Sequence, residues 1–319
     1  MNRTSPIIGW ADTLNSLQNG LFEEERSRSA YWDEESEKFT VDANGEIHGV
    51  NSMGTVSRKR DMFHQIAHWT LLSPFRLLGL RYNSFSIHLQ NGYAIARMHH
   101  RLFTHDMLRQ VLVISLLDHY LPLSEQKGCG LIIGDGYGIL TSLFLRSGYM
   151  KKIVTCNLTK SLLLDLTEIK KSSPKIGVAL ASTTNEIKAA FCDDSIRLIA
   201  VQADNAEIIR EMPVNIATNV HSMMEMEPNV INAYFNILRS NKSDQTAFYC
   251  ANRLYKKLQG GTVTRFMEYP WDKNDKILHD SVSHWSQWNI NKTPPFLHYR
   301  FGKSRKVWHR LAILKMSPR

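Results

Sequence analysis

The sequence predicts an α/β protein: a doubly wound, mostly parallel sheet closing in an antiparallel C-terminal hairpin, preceded by a mainly helical N-terminal region. Three observations predict it. The apolar run Leu131-Ile132-Ile133 enters a glycine loop, Gly134-Asp135-Gly136-Tyr137-Gly138, and a helix-like run from Ile139 to Ser147 follows. Beyond the loop, strand patterns alternate with helical ones, as parallel strands joined by crossover helices require. Near the end, Phe296 to Phe301 and Val307 to Met316 flank the polar turn Gly302-Lys303-Ser304-Arg305 and read as a hairpin.

Each element follows from local pattern. Residues 1–122 are assigned to the helical region and 123–319 to the α/β domain. The first begins with a polar amphipathic stretch, Trp10 to about Phe39, and turn-rich segments at Asp42 to Gly45 and Asn51 to Gly54. A helix over about Lys59 to Leu80 is followed by apolar-periodic segments near Asn91 to Leu102 and His105 to Tyr120. Pro122 to Gly130 links into the glycine-loop strand. Lys152 to Asn157, Ile196 to Gln202, Val214 to Val220 and Ala247 to Ala251 are the further strands. Lys160 to Lys171 and Asn229 to Arg239 are helices between them.

The net charge of +9 is uneven: Glu23-Glu24-Glu25 and Asp33, Glu34 and Glu35 are acidic, whereas Arg253, Lys256, Lys257, Arg300, Lys303, Arg305, Lys306 and Arg310 are basic. Such a field favours an anionic partner, whether a phosphate-bearing substrate, nucleic acid or an acidic membrane surface; a solvated basic face with no specific partner is the plainer reading. No nucleic-acid-binding module is present in the sequence. The most apolar window, Val111 to Leu123, contains Asp118 and His119 and is too short to span a bilayer. No apolar leader follows Met1-Asn2-Arg3, and Cys129, Cys156, Cys192 and Cys250 lack metal-type spacing. A cytoplasmic protein with free thiols is expected, with at most weak peripheral contact with a membrane.

In open α/β sheets, ligands bind beyond the carboxyl ends of the strands. A dinucleotide fingerprint would need its third glycine where Ile139 stands. Glycines two apart resemble instead the nucleoside-binding loop of S-adenosylmethionine-dependent methyltransferases; a tight strand–helix turn is the plainer alternative. The resemblance implies S-adenosyl-L-methionine as cofactor. Gly134, Asp135, Gly136, Tyr137 and Gly138 would cup its amino-acid and ribose parts, with Asn157 and Leu158 at the ribose. Ala203 and Asp204 would lie at the adenine, and Asn219 and Val220 where the methyl is presented. Two residues depart from the pattern: Ile132 and Asn157 stand where carboxylates are usual. An amide at 157 bonds a diol without charge assistance, so an aspartate there is expected to hold the cofactor as well or better.

A sharper resemblance lies further on. Asn219-Val220-His221-Ser222-Met223-Met224-Glu225-Met226 with Ala233-Tyr234-Phe235, then Asn252-Arg253, Gly260-Gly261 and Glu268-Tyr269-Pro270-Trp271-Asp272, is similar to the sugar O-methyltransferase family over about residues 125–275. It implies methyl transfer to a sugar or glycan hydroxyl in bacterial surface-glycan synthesis. A sugar hydroxyl is a weak acid, so a base is useful. Glu225 as base, or orienting His221 from four residues away, is the expected arrangement if a helix starts near Ser222; a capping box between Ser222 and Glu225 is the alternative. Ser222, Asn252, Arg253, Trp271 and Asp272 are the expected acceptor-binding residues, with Asp272 the reserve base. His64-Gln65-Ile66-Ala67-His68 lacks the glutamate of a zinc-protease helix, and no metal is expected. Two other functions remain open: methyl transfer to a non-sugar small molecule, and a non-catalytic binding module.

Overall fold

The structure is a computed structural model and describes residues 5–21, 40–41, 47–48, 62–258, 261–290, 296–302 and 305–318. The N-terminal part comprises β1 (Ile7–Ile8), α1 (Trp10–Asn19), β2 (Thr40–Val41) and β3 (Ile47–His48). Next come α2 (Met62–Leu71), α3 (Ser73–Gly79), α4 (Phe85–Met98) and α5 (His105–Tyr120). The central part runs β4 (Cys129–Ile133), α6 (Ile139–Ser147), β5 (Lys152–Asn157), α7 (Thr159–Ser172), β6 (Gly177–Leu180) and α8 (Thr184–Cys192). It continues with β7 (Ile196–Gln202), a 3₁₀ segment (Ala203–Glu211), β8 (Val214–Val220), α9 (Pro228–Ser240) and β9 (Thr246–Arg253). The last part holds β10 (Tyr255–Lys257), β11 (Val263–Arg265), β12 (Lys276–Val282), β13 (Trp288–Ile290), β14 (Leu297–Tyr299) and β15 (Val307–Leu314).

One nine-stranded sheet has the order β1-β6-β7-β5-β4-β8-β9-β15-β12. The strands from β6 to β9 pair in parallel, and β1, β15 and β12 join antiparallel. Two apolar cores lie on its faces: α5, α6 and α7 supply Leu112, Phe144 and Leu162 to one, whereas α8 and α9 supply Ile187 and Phe235 to the other. Parallel strands buried on both faces need such continuous apolar runs, and Cys129–Ile133 and Lys152–Asn157 are buried throughout. The predicted parallel strands and the helix at Ile139–Ser147 are present.

Other expectations are corrected. The strip Leu297–Tyr299 does not pair with β15; it pairs with Trp288–Ile290 in a separate ribbon. The antiparallel partner of β15 is Lys276–Val282, whose mixed pattern of lysine, histidine and aspartate hid it. The Lys59–Leu80 helix is broken: α2 ends at Leu71 and α3 begins at Ser73, with Pro74 in its first turn, where proline is tolerated. β6 and α8 went unseen as sequence, although Thr183 and Glu186 form a capping box at the start of α8. The N-terminal strand extends the sheet, Ile7 lying opposite Leu180. The turn-rich segments at 42–45 and 51–54 and the whole stretch from 22 to 39 lie outside the described residues.

Candidate active site

The chain runs from β4 outward to β5, then returns to place β8 on the other flank of β4. That reversal opens a crevice at the carboxyl ends of β4 and β8, where ligands of such sheets bind. The glycine loop forms its floor. Gly134, Gly136 and Gly138 all have positive φ, +70°, +83° and +63°, a backbone that side chains strain. A side chain at Gly134 would collide with Ser222, and one at Gly138 with Ile169 and, at 2.6 Å, the Asp165 carbonyl. The first and third glycines are therefore demanded by packing as well as conformation.

Two carboxyl groups strap this loop. Asp135 accepts hydrogen bonds from the Leu140 and Thr141 amides at 3.1 and 2.7 Å, holding the start of α6. Asp165, fully buried on α7, accepts from the Gly138 amide at 3.1 Å and from the Asn157 side-chain amide at 2.8 Å. Burial raises the pKa of Asp135; burial and then the nearby Asp135 raise Asp165 well above the carboxylate range. Asn157 also accepts from the Leu158 amide at 3.0 Å. Its side chain thus serves the loop's scaffold, which leaves one Nδ2 hydrogen and one Oδ1 lone pair for a ligand. Nearby, Gln202 donates to Thr159 Oγ1 at 2.8 Å where the 3₁₀ segment bearing Ala203 and Asp204 begins.

Across the crevice a polar lattice joins three strand ends. Asn219, fully buried, donates to the Ile133 carbonyl at 2.9 Å and accepts from the Met223 amide and Asn252 Nδ2 at 3.0 and 2.9 Å. Asn252 in turn accepts from the Met224 amide at 3.1 Å, and Ser222 Oγ donates to the Ile133 carbonyl at 3.2 Å. Asn219, Ser222 and Asn252 therefore bracket the turn after β8.

That turn holds His221 in a left-handed conformation, φ +65°, with its amide donating to the Ala251 carbonyl at 2.8 Å. Nε2 of His221 is shut off from solvent and has no hydrogen-bond partner among the described residues. Burial, and then the positive charges of Arg109, Arg300 and Arg253, hold its pKa well below the usual imidazole range, so the ring is neutral. No helix starts at Ser222: Met223–Glu225 is a single 3₁₀ turn, and Ser222 makes no side-chain cap. The capping box is thereby corrected, because Ser222 Oγ is held by Ile133 and Asn219. Glu225 lies toward Lys256 and Arg253. Burial raises its pKa to about 7, the two cations opposing. No hydrogen bond joins Glu225 to His221 among the described residues.

Trp271 and Asp272 are placed elsewhere. Trp271 stacks on Phe248 at 5.7 Å and meets Phe235 edge-on. Asp272 caps Asn274 beside Asp275, which pairs with Arg239 at 2.7 Å and accepts from the Lys315 amide. Leu314 lies opposite Thr246, the first residue of β9, so this cluster is at the amino ends of the parallel strands, away from the crevice. The Arg239–Asp275 pair pins it there. Sequence reasoning missed Asp165, whose signal was a lone carboxylate inside the apolar run Leu162 to Leu166. It also missed His105 and Arg109, for which no local signal exists.

No family model and no curated protein matches the sequence. Among solved structures, a protein of Galdieria sulphuraria assigned as a sarcosine dimethylglycine methyltransferase overlaps at a TM-score of 0.45 and 10% identity, covering 69% of this chain and 90% of that one. TrmK of M. capricolum, in complex with S-adenosylhomocysteine, overlaps at 0.33 and 8% identity, covering 62% and 68%. The fold is read from the strand order itself: a parallel sheet with its switch point at the glycine strand and an antiparallel strand inserted beside β9. It is a doubly wound, mostly parallel α/β sheet that closes with antiparallel C-terminal strands.

Proposed function

We propose that this chain is an S-adenosylmethionine-dependent O-methyltransferase whose acceptor is a sugar hydroxyl. The observation that carries this reading is His221, a neutral imidazole in a left-handed turn beside the glycine strand, with a buried and unpartnered Nε2. The positive-φ backbone of Gly134, Gly136 and Gly138 fits close approach by a nucleoside, and Leu158, Ala203, Asp204 and Val220, at or just beyond the ends of β5, β7 and β8, are the further residues proposed to meet the cofactor. The ribose position fits less well, since Asn157 is engaged by Asp165. When bound, the cofactor supplies an electrophilic methyl group that needs no further activation. The protein's own task is to align an acceptor oxygen and receive its proton. His221 Nε2, on a neutral ring whose pKa burial and the arginines hold down, can accept a hydrogen bond from the acceptor hydroxyl and orient it. Glu225, titrating near 7 at the same turn, is the second acceptor. The sugar class rests on the motifs from Asn219 to Asp272 described above.

A methyltransferase-like binding module is the second reading, favoured by the Asn157–Asp165 bond that occupies the ribose position. Single-turnover transfer of labelled methyl groups to a glycan acceptor, run beside S-adenosylhomocysteine binding, separates them. The enzyme reading expects saturable binding and a labelled glycan. Binding without label would sink it.

A further inference from the structure

We propose that the acceptor carries a phosphate group, bound by Arg109, Arg253 and Arg300 beside His221. The inference deepens the methyltransferase reading and rests on it for the identity of the ligand as acceptor. Four stretches of chain distant in sequence bring these groups together. Arg109 stands in the early turns of α5, paired with Asp106. Arg253 ends β9, opposite Val307 of β15. Arg300 follows β14; its amide donates to the Gln287 carbonyl at 2.7 Å, and its guanidinium donates to Asn289 Oδ1 at 2.6 and 3.2 Å. His105 opens α5 with its ring 4.5 Å from that of Phe75 and bonded to the Trp285 backbone.

Contacts draw them to one end of the sheet: the His221 amide donates to Ala251, two residues before Arg253, and Gln287, whose carbonyl holds the Arg300 amide, donates from Nε2 to the carbonyl of Val307 opposite Arg253 at 3.0 Å. In that arrangement the arginines' charges act on His221, His105 and Arg300. Burial and those neighbours bring the pKa of Arg300 down to about 10. Gathering like charges away from water is costly unless a counter-charge is present. Asp106 is the carboxylate that offsets Arg300, and Glu225 is beside Arg253 with a pKa about 7. The three arginines outnumber the two carboxylates that face them, so the cluster is net positive. A phosphate monoester carries about −1.5 to −2 at neutral pH and offers several oxygens to guanidinium forks, whereas a carboxylate carries half the charge. Three buried nitrogens in this cluster also lack hydrogen-bond partners: Arg253 Nε, His221 Nε2 and His105 Nε2. Unpartnered buried groups of this kind mark where a ligand completes the structure.

The test is calorimetric titration of inorganic phosphate, and separately of acetate, into the protein saturated with S-adenosylhomocysteine. Saturable phosphate binding is expected, with acetate at least about tenfold weaker. Arg300→Gln and Arg253→Gln are each expected to weaken phosphate by about tenfold or more, leaving S-adenosylhomocysteine affinity unchanged. Arg300 is the more exposed of the two, so its variant keeps the test open if Arg253→Gln fails to fold. Absent phosphate binding, acetate binding as tight as phosphate, or wild-type phosphate affinity in Arg300→Gln would overturn the proposal. The titration is repeated without S-adenosylhomocysteine. Failure of that nucleoside to bind counts against the methyltransferase reading, while the arginine site is still tested.

Discussion

Around the glycine loop, carboxylates and amides are tied to one another: Asp135 to the start of α6, and Asp165 to Gly138 and Asn157. Across the crevice, Arg253, His221 and His105 keep nitrogens without a hydrogen-bond partner among the described residues. One half is a finished scaffold that offers a ligand shape and backbone; the other is unfinished and offers charge. The difference teaches where specificity resides. A loop tied by its own side chains is built to hold one invariant partner, whereas a cluster of arginines and imidazoles selects among acceptors by charge.

The largest expected effect breaks the unfinished half at His221. His221→Asn should lower single-turnover methyl transfer by about 10²–10⁴-fold, with S-adenosylhomocysteine affinity little changed. A near-normal rate would move proton removal to Glu225. Glu225 itself is read best through pH. Its folded pKa, raised from 4.5 to about 7, means the folded state holds the proton more tightly than the unfolded chain. Stability should therefore fall as pH rises from about 4.5 to about 7, by at most about 3 kcal/mol. Glu225→Gln should flatten that slope in denaturant unfolding run at pH 5 and pH 8. If Glu225 takes the proton, the wild-type rate should rise with pH through about 7, and the variant should lose that rise.

A smaller effect sharpens the finished half. Asn157→Asp would set a third carboxylate against Asp165 and Asp135 and remove the amide donor that Asp165 uses. The expected outcome is a loss of about 1–3 kcal/mol of stability, larger at pH 8 than at pH 5, with cofactor affinity weakened. That reverses the expectation drawn from residue type alone, where the added charge favoured the ribose. An unchanged melting temperature would show that Asp165 does not need Asn157. The smallest effect lies outside the crevice: Asp272→Asn should leave turnover unchanged, since its partners are at the other end of the sheet. Loss of turnover there would place the site wrongly.

Periodicity made the sheet legible because β4, β5, β7, β8 and β9 are buried on both faces and read as unbroken apolar runs. The edges were less legible. Lys276–Val282 carries lysine, histidine and aspartate on a partly exposed strand, and its partner lies beyond an intervening ribbon, so the hairpin was drawn between the wrong strands. Within the site, the glycine spacing announced the loop, but which polar side chains face a ligand is decided by contacts distant in sequence. Asn157 meets Asp165 almost two helix turns into α7, and Asn219 meets Asn252 from a neighbouring strand. His221 was legible by its place at a strand end; Arg109 and Arg300 were not, because only the tertiary fold brings α5 and the β13–β14 ribbon to it.

The central claim is that the glycine loop at this switch point holds S-adenosylmethionine. Calorimetric titration of S-adenosylhomocysteine into the wild type and into Gly136→Val tests it most directly. Gly136 has φ +83°, so a branched side chain there strains the backbone by about 1–2 kcal/mol and projects into the loop's approach. Saturable binding by the wild type, weakened about 100-fold or more in a variant with unchanged circular dichroism, is the predicted result. Absence of binding by the wild type, or equal affinity in a folded Gly136→Val, would contradict it.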